Sequence, residues 1–224
     1  MTRATVVQRI VEIGILPVVR AASGAEAMAV ADAIGDGGIR ALEITTTVPG
    51  ASRVIAEAVA RYGDRFLIGA GTVLDADQAR TCIEAGARFI VSPIVDEETI
   101  AWCRRAEVAV LPGALTPTEV VRAWRAGADF VKVFPCSAVG GAGYVKALKA
   151  PLPGIPLVPT GGVTLETIGA FFAAGASAVG VGGDLCDLQA LRRGQPEKLA
   201  AAARAYVGAV QAAKAAVAAT GQAT

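Results

Sequence analysis

The chain has no histidine among its 224 residues. That absence excludes Ser-His-Asp and Cys-His catalysis and every imidazole-based metal site, so proton transfer falls to Glu, Asp, Lys, Tyr, Cys or water. Cysteine is sparse, and Cys82, Cys103, Cys136 and Cys186 lie far apart without a CxxC pair. Neither a zinc site nor a disulfide framework is expected, and a reducing cytoplasm suits such thiols best. Neither sign of charge is in excess: 21 Lys and Arg stand against 20 Asp and Glu, with the arginines scattered. No basic field exists to attract nucleic acid, so an anionic ligand must be held by a local site. The opening residues lack a basic segment followed by an apolar run and a small-residue cleavage site, so no signal peptide is expected. The uncharged stretch 167–183 is too short and too rich in glycine for a membrane span.

What the chain does have is apolar residues, 54% of the total, enough to bury a full core. Short β-rich runs recur as ILPVV, ALEIT, FLIGAG, FIVSP, VAVLPG, FVKVFP, PLVPT and AVGVGG, each followed by an amphipathic segment. Near-continuous apolarity marks strands covered on both faces. Eight strand-helix units predict an α/β fold, a single (β/α)8 TIM barrel over residues 1–224, with a doubly wound open sheet as the alternative. Residues 5–13 predict an extra N-terminal helix plugging the barrel floor. EAGARFIVSP, RAGADFVKVFP and AAGASAVGVGG each put Ala-Gly-Ala before a strand, so Gly86, Gly127 and Gly175 read as helix-ending glycines, not site residues. Asp75, Asp96, Thr116 and Thr164 stand where N-caps belong. Residues 196–219 read as an alanine-rich helix, and the GQAT tail is expected to fray.

In such a barrel the site lies at the carboxyl ends of the strands, so groups that do not belong in a core are informative there. Lys132 sits in Phe130-Val131-Lys132-Val133-Phe134, flanked by apolar residues, whereas Lys146, Lys149, Lys198 and Lys214 fall on predicted helices. Desolvation disfavours an ammonium and frees the amine for attack on a carbonyl, although a buried strand lysine serves equally as a paired structural group. Glu43 lies in Ala41-Leu42-Glu43-Ile44-Thr45, where period-2 alternation points it into the barrel as a general base or as the partner of Lys132 or Arg20. Thr160-Gly161-Gly162 and Gly182-Gly183 fall after strands seven and eight, where barrels often hold phosphate on backbone amides. Thr72, Pro93 and Arg20 complete a ring of strand-end residues. Arg20 reads either as a fork for a carboxylate or phosphate or as a surface arginine just past a strand. Cys136 is a bystander, and Trp102 and Trp124 read as helix packing.

These strand ends resemble the bacterial class I 2-keto-3-deoxy-6-phosphogluconate (KDPG) aldolase and 4-hydroxy-2-oxoglutarate aldolase family. The carriers, between residues 10 and 205, are LEIT around Glu43, GAGTVL around Thr72, IVSP around Pro93, LPGALTPTE, FVKVFP around Lys132 and VPTGGV around Gly161. The resemblance implies a homotrimer of barrels without metal or cofactor, a small-molecule 2-oxo acid substrate, Lys132 as Schiff-base nucleophile and Glu43 as acid/base. It further implies that Thr72 and Pro93 line the pyruvyl end and that Gly161, Gly162 and Gly183 hold phosphate. Two positions depart from it: Thr47 stands where many members carry arginine, and Gly183 where many carry serine. Thr160 resembles the gluconate-type enzymes, whereas galactonate-type members tend to have an apolar residue there. The expected reaction is cleavage of 2-keto-3-deoxy-6-phosphogluconate to pyruvate and glyceraldehyde 3-phosphate, with 4-hydroxy-2-oxoglutarate as a further substrate. The rivals are the galactonate epimer and a phosphate-binding isomerase or decarboxylase that uses Lys132 and Glu43 without a covalent intermediate.

Overall fold

A computed structural model describes residues 1–221, so the expected fraying of the tail falls outside the described residues past Gly221. The first helix, α1 (Arg3–Ile13), is capped by Thr2, whose side chain accepts from the Thr5 amide, and it ends on Gly14, whose N–H donates to the Ile10 carbonyl. It is the expected N-terminal helix. Its apolar stripe, Val6 and Ile10, is buried against an interior cluster that includes Leu16, Leu67, Phe89, Leu111, Phe130 and Val158. Arg3 on the same helix reaches Asp129 at 3.5 Å.

The strands follow in chain order: β1 (Ile15–Val19), β2 (Ala41–Thr45), β3 (Leu67–Gly71), β4 (Phe89–Val91), β5 (Ala109–Leu111), β6 (Gly113–Ala114), β7 (Val131–Val133), β8 (Leu157–Pro159) and β9 (Val179–Val181). All their pairings are parallel. Each is fully buried, as the unbroken apolar runs require, and helices separate them in sequence except between β5 and β6, where only Pro112 intervenes. The ladders form a six-stranded sheet, β5-β4-β3-β2-β1-β9, and a three-stranded sheet, β6-β7-β8.

The ladders therefore draw a curled parallel sheet in two pieces, of the α/β class expected, and not one continuous eight-stranded ring. Proline accounts for both seams. Pro112 has no N–H and divides the predicted fifth strand into β5 and β6. Pro159 ends β8, where only the isolated parallel bridges Leu157–Ala176 and Thr160–Gly180 reach the segment containing β9. The first seam is also bonded across, since the Lys132 amide donates to the Pro112 carbonyl at 2.9 Å and the Asp129 amide to that of Val110 at 3.0 Å.

Local signals place the helices. Asp75, Asp96 and Thr116 cap α4 (Ala76–Glu84), α5 (Glu97–Arg105) and α6 (Pro117–Arg125), the last through a reciprocal capping box with Glu119. Gly86, Gly127 and Gly175 take φ of +101°, +102° and +92° just past their helices, a left-handed stop that glycine adopts without strain. Thr164 differs from expectation. The helix after β8, α8 (Ile168–Ala173), has Thr167 at its N-cap, and Thr164 instead accepts from the Thr167 amide in the preceding turn. The alanine-rich segment forms α10 (Pro196–Gly221), which packs on α8 and on α2 (Gly24–Asp36). Lys214 of α10 donates to the Val11 and Glu12 carbonyls, satisfying orphan groups at the end of α1. No described helix is long and apolar enough to cross a membrane.

Candidate active site

Alternation along a strand decides which residues enter the interior. In β2, Leu42 and Ile44 join the outer cluster beneath the helices, while Ala41 lies in the inner one, so Glu43 and Thr45 face inward. In β7, Val131 and Val133 face the helices and Lys132 faces inward above Phe130. The two charged side chains expected to share the interior do so, Glu43 at 2% and Lys132 at 3% exposure.

They are not an ion pair. Neither Lys132 nor Arg20 comes within salt-bridge distance of the Glu43 carboxyl among the described residues. Oε1 of Glu43 is buried and has no hydrogen-bond partner among the described residues. Burial holds this carboxyl above the usual carboxylate range, and the opposing pull of the Lys132 and Arg20 charges is too weak to reverse it. Nζ of Lys132 lies 4.9 Å from the centre of the Phe134 ring, whose face it covers.

Lined by neither Lys132 nor Glu43, but by the strand neighbours Phe134 and Val18, a cavity of about 360 Å³ opens among Arg20, Thr160, Gly161, Gly162, Gly182 and Gly183, six of the residues read from the sequence. Gly161 and Gly162 hold φ of +96° and +75°. Among the described residues their amides, and that of Gly183, donate to no other group, so they are free to bond an anion. Thr72 and Pro93 do not line this cavity. Thr72 ends the β3 run at φ +58°, strained for a β-branched residue, and the Thr46 hydroxyl donates to its carbonyl at 2.7 Å. Pro93 packs where Gly113 has no side chain: a Cβ there would come 2.4 Å from the Pro93 carbonyl. Thr47 turns back, sharing a 2.7 Å hydrogen bond with Thr45.

Sequence reasoning passed over Phe134, Val18 and Asp184, which also line the cavity. Phe134 and Val18 were within reach of the period-2 rule, two residues from Lys132 and Arg20. Cys186 lies close enough to Glu43 for the carboxylate charge to add to burial in pushing its thiol up to about 12, a proximity without local signal. Cys136 is likewise pushed up to about 11 by burial, and a neutral thiol suits a bystander. Trp102 is packed between the Arg80 and Arg105 guanidinium groups, 5.9 and 5.5 Å from its ring. A roomier depression, about 670 Å³ beside α5 and α6, holds an Arg122–Glu97 ion pair and none of the strand-end residues.

The profile of a family described as KDPG and KHG aldolase matches residues 6–202. The chain belongs to that family. This aldolase, a lyase, is 38% identical to the 2-dehydro-3-deoxy-6-phosphogalactonate aldolase of Escherichia coli K12 over 88% of its own length and 96% of the relative's. It is 35% identical to the 2-dehydro-3-deoxy-phosphogluconate aldolase of Treponema pallidum, over 75% and 80% of the two chains. Among solved structures, the aldolase superposes with a TM-score of 0.82 on the KDPG aldolase of Legionella pneumophila at 26% identity, covering 92% and 98% of the two chains. In that structure pyruvate was captured as a covalent carbinolamine intermediate. A native KDPGal structure matches with a TM-score of 0.81 at 38% identity, over 89% of this chain and 95% of that one.

Proposed function

We propose that this aldolase cleaves 2-keto-3-deoxy-6-phosphogluconate through a Schiff base on Lys132. The observation that carries the reading is the buried, unpaired placement of Lys132 and Glu43 next to Phe134 and Val18, which line a cavity edged with free glycine amides. Burial of Lys132 among apolar strands, with no ion-paired carboxylate among the described residues, supports its use as the nucleophile. Lys132 attacks C2 of the ketone, and loss of water from the carbinolamine gives an iminium. Glu43, directly or through water, relays protons in that dehydration and takes the proton of the C4 hydroxyl as the C3–C4 bond breaks. Electrons from that bond flow into the iminium, leaving an enamine and releasing glyceraldehyde 3-phosphate. Protonation at C3 and hydrolysis then free pyruvate. The raised carboxyl of Glu43 suits a group that both accepts and returns a proton.

Gly161, Gly162 and Gly183 with Arg20 are assigned to the phosphate, and Gly182 to the same rim. Thr72 and Pro93 are assigned to the pyruvyl end. With Thr47 turned away and Gly183 lacking a hydroxyl, Arg20 carries more of the anion binding. Neither metal nor cofactor takes part, and 4-hydroxy-2-oxoglutarate is the second substrate. The framework is a single-domain (β/α)8 barrel in which β5 and β6 form one broken stave. The assembly is a homotrimer, and the four buried, unbridged thiols suit a cytoplasmic location.

Thr160, one of the cavity's lining residues, favours the gluconate epimer. The 38% identity to a galactonate aldolase favours the other, and product release from both epimers decides between them. For the chemistry itself, the protein is incubated with pyruvate and borohydride, and the adduct is mapped. A reduced pyruvyl adduct on Lys132, absent from Lys132→Ala, is expected together with a loss of turnover of about 10⁴-fold in that variant. Absence of an adduct on folded wild-type protein would leave the non-covalent isomerase or decarboxylase in possession of the site.

A further inference from the structure

Glu43 is unusual in what it leans against. Most buried carboxyl groups rest on donors, but here the neighbour is an absence: the inward face of Gly71 at the end of β3. A Cβ built on Gly71 would lie 1.8 Å from Oε1 of Glu43, 2.5 Å from Cδ and 2.6 Å from Cγ. Three atoms of one side chain occupy the space an alanine methyl would need. Gly71 is not among the residues with positive φ, so its backbone would accept alanine. The demand at this position is for room and not for conformation.

The recess has fixed walls. Thr45 of β2 pairs with Gly71 in register, and the Thr46 amide donates to the Gly71 carbonyl at 2.8 Å. Widening the gap between the strands would break that ladder. Two residues earlier on the same face, the space left by Gly69 is filled by the Phe89 ring, with ring atoms 2.4 Å from where its Cβ would stand. One glycine of this strand thus serves packing, and the other receives a carboxyl group.

We propose that Gly71 is a positioning residue for Glu43: the hollow it leaves holds the carboxyl group within the interior yet out of ion pairing with Lys132 and Arg20. A methyl group there drives the carboxyl out of the hollow and off the geometry needed for proton transfer, while Lys132 keeps its own surroundings. The inference rests on the Schiff-base reading above, in which Glu43 moves protons for the Lys132 adduct.

The test is exchange of the pyruvate methyl protons for deuterium in D2O, followed by proton NMR. It needs the imine and a base but no aldehyde, so the identity of the sugar acid does not enter. In Gly71→Ala the exchange kcat is expected to fall by about 100-fold, as a misplacement near 1 Å does, with KM for pyruvate changed less than about threefold. The borohydride adduct on Lys132 should persist. Glu43→Asp, which shortens the side chain by one methylene, should harm the wild type yet restore about tenfold of the exchange rate lost in Gly71→Ala. A merely structural glycine would not be rescued by trimming a different residue. An exchange rate in Gly71→Ala within about threefold of wild type, or no recovery in the double variant, overturns the proposal. If Gly71→Ala does not fold, the double variant decides: a folded, exchanging protein supports the hollow, and an unfolded one refutes it. Wild-type protein that neither exchanges nor traps pyruvate removes the Schiff-base reading, and this inference with it.

Discussion

The two ends of the sheet interior are built on opposite rules. At the floor, α1 closes a dry cluster around Phe89 and Phe130, and Arg3 is set against Asp129, whose other oxygen accepts from the Val110 amide at 3.0 Å. At the mouth, a carboxyl group and an amine are buried without being paired, near glycine amides that donate to no group among the described residues. The floor is apolar apart from the Arg3–Asp129 pair, in which one guanidinium nitrogen also lacks a partner, whereas the mouth gathers several free polar groups around one cavity. Unsatisfied buried groups destabilise a fold, so an arrangement that keeps them is held by the well-packed end. Stability and reactivity are thus separated along one axis a few residues long.

Substitutions can break or sharpen that division. At the mouth, Glu43→Gln should lower turnover by about 10²- to 10⁴-fold, the range for loss of a general base, measured as pyruvate release. It should also stabilise the fold, in a pH-dependent way. Because the folded carboxyl is raised above its ordinary value of 4.5, the native state binds this proton more tightly than the unfolded chain. The stability tied to the proton is complete below the unfolded value and is lost as pH rises through the folded one. Thermal melts of Glu43→Gln should therefore exceed wild type at neutral pH, and the two should converge as pH falls below about 4.5. A Gln variant less stable than wild type at neutral pH would mean that the carboxylate is satisfied after all.

At the floor, Phe89→Ala should destabilise by about 3–5 kcal/mol in denaturant titrations, while the surviving folded molecules keep their kcat. A large drop in kcat there would show the two ends to be coupled. The mildest of these effects belongs to the rim. Arg20 is exposed, so Arg20→Ala should raise KM for the phosphorylated substrate about tenfold with little change in kcat or stability. Its effect should shrink as salt is added, because an exposed charge is screened.

Much of the floor and part of the mouth were legible from residues alone. Alternation in ALEIT aimed Glu43 inward, apolar flanks marked Lys132 as desolvated, and Asp75, Asp96 and Thr116 marked their helix starts because a cap is a matter of neighbours in sequence. What escaped depended on residues far apart. The division at Pro112 is visible only once β5 and β6 are seen to join different sheets. Thr164 and Thr167 carry the same capping chemistry three residues apart, and only the turn between them decides which one opens the helix. The nearness of Cys186 to Glu43 joins two elements separated by most of the chain, and the hollow at Gly71 is a relation between facing strands. Local pattern carries which face a residue takes, not what stands opposite it.

The family match ends at residue 202, within α10, and the helix continues to Gly221. Lys214 belongs to that continuation, and its ammonium covers the last carbonyls of α1, the helix that seals the floor. The recognised segment and the cooperative folding unit therefore have different boundaries. A protein trimmed to the first would keep every residue assigned to chemistry and lose a fastening on which the closed end depends.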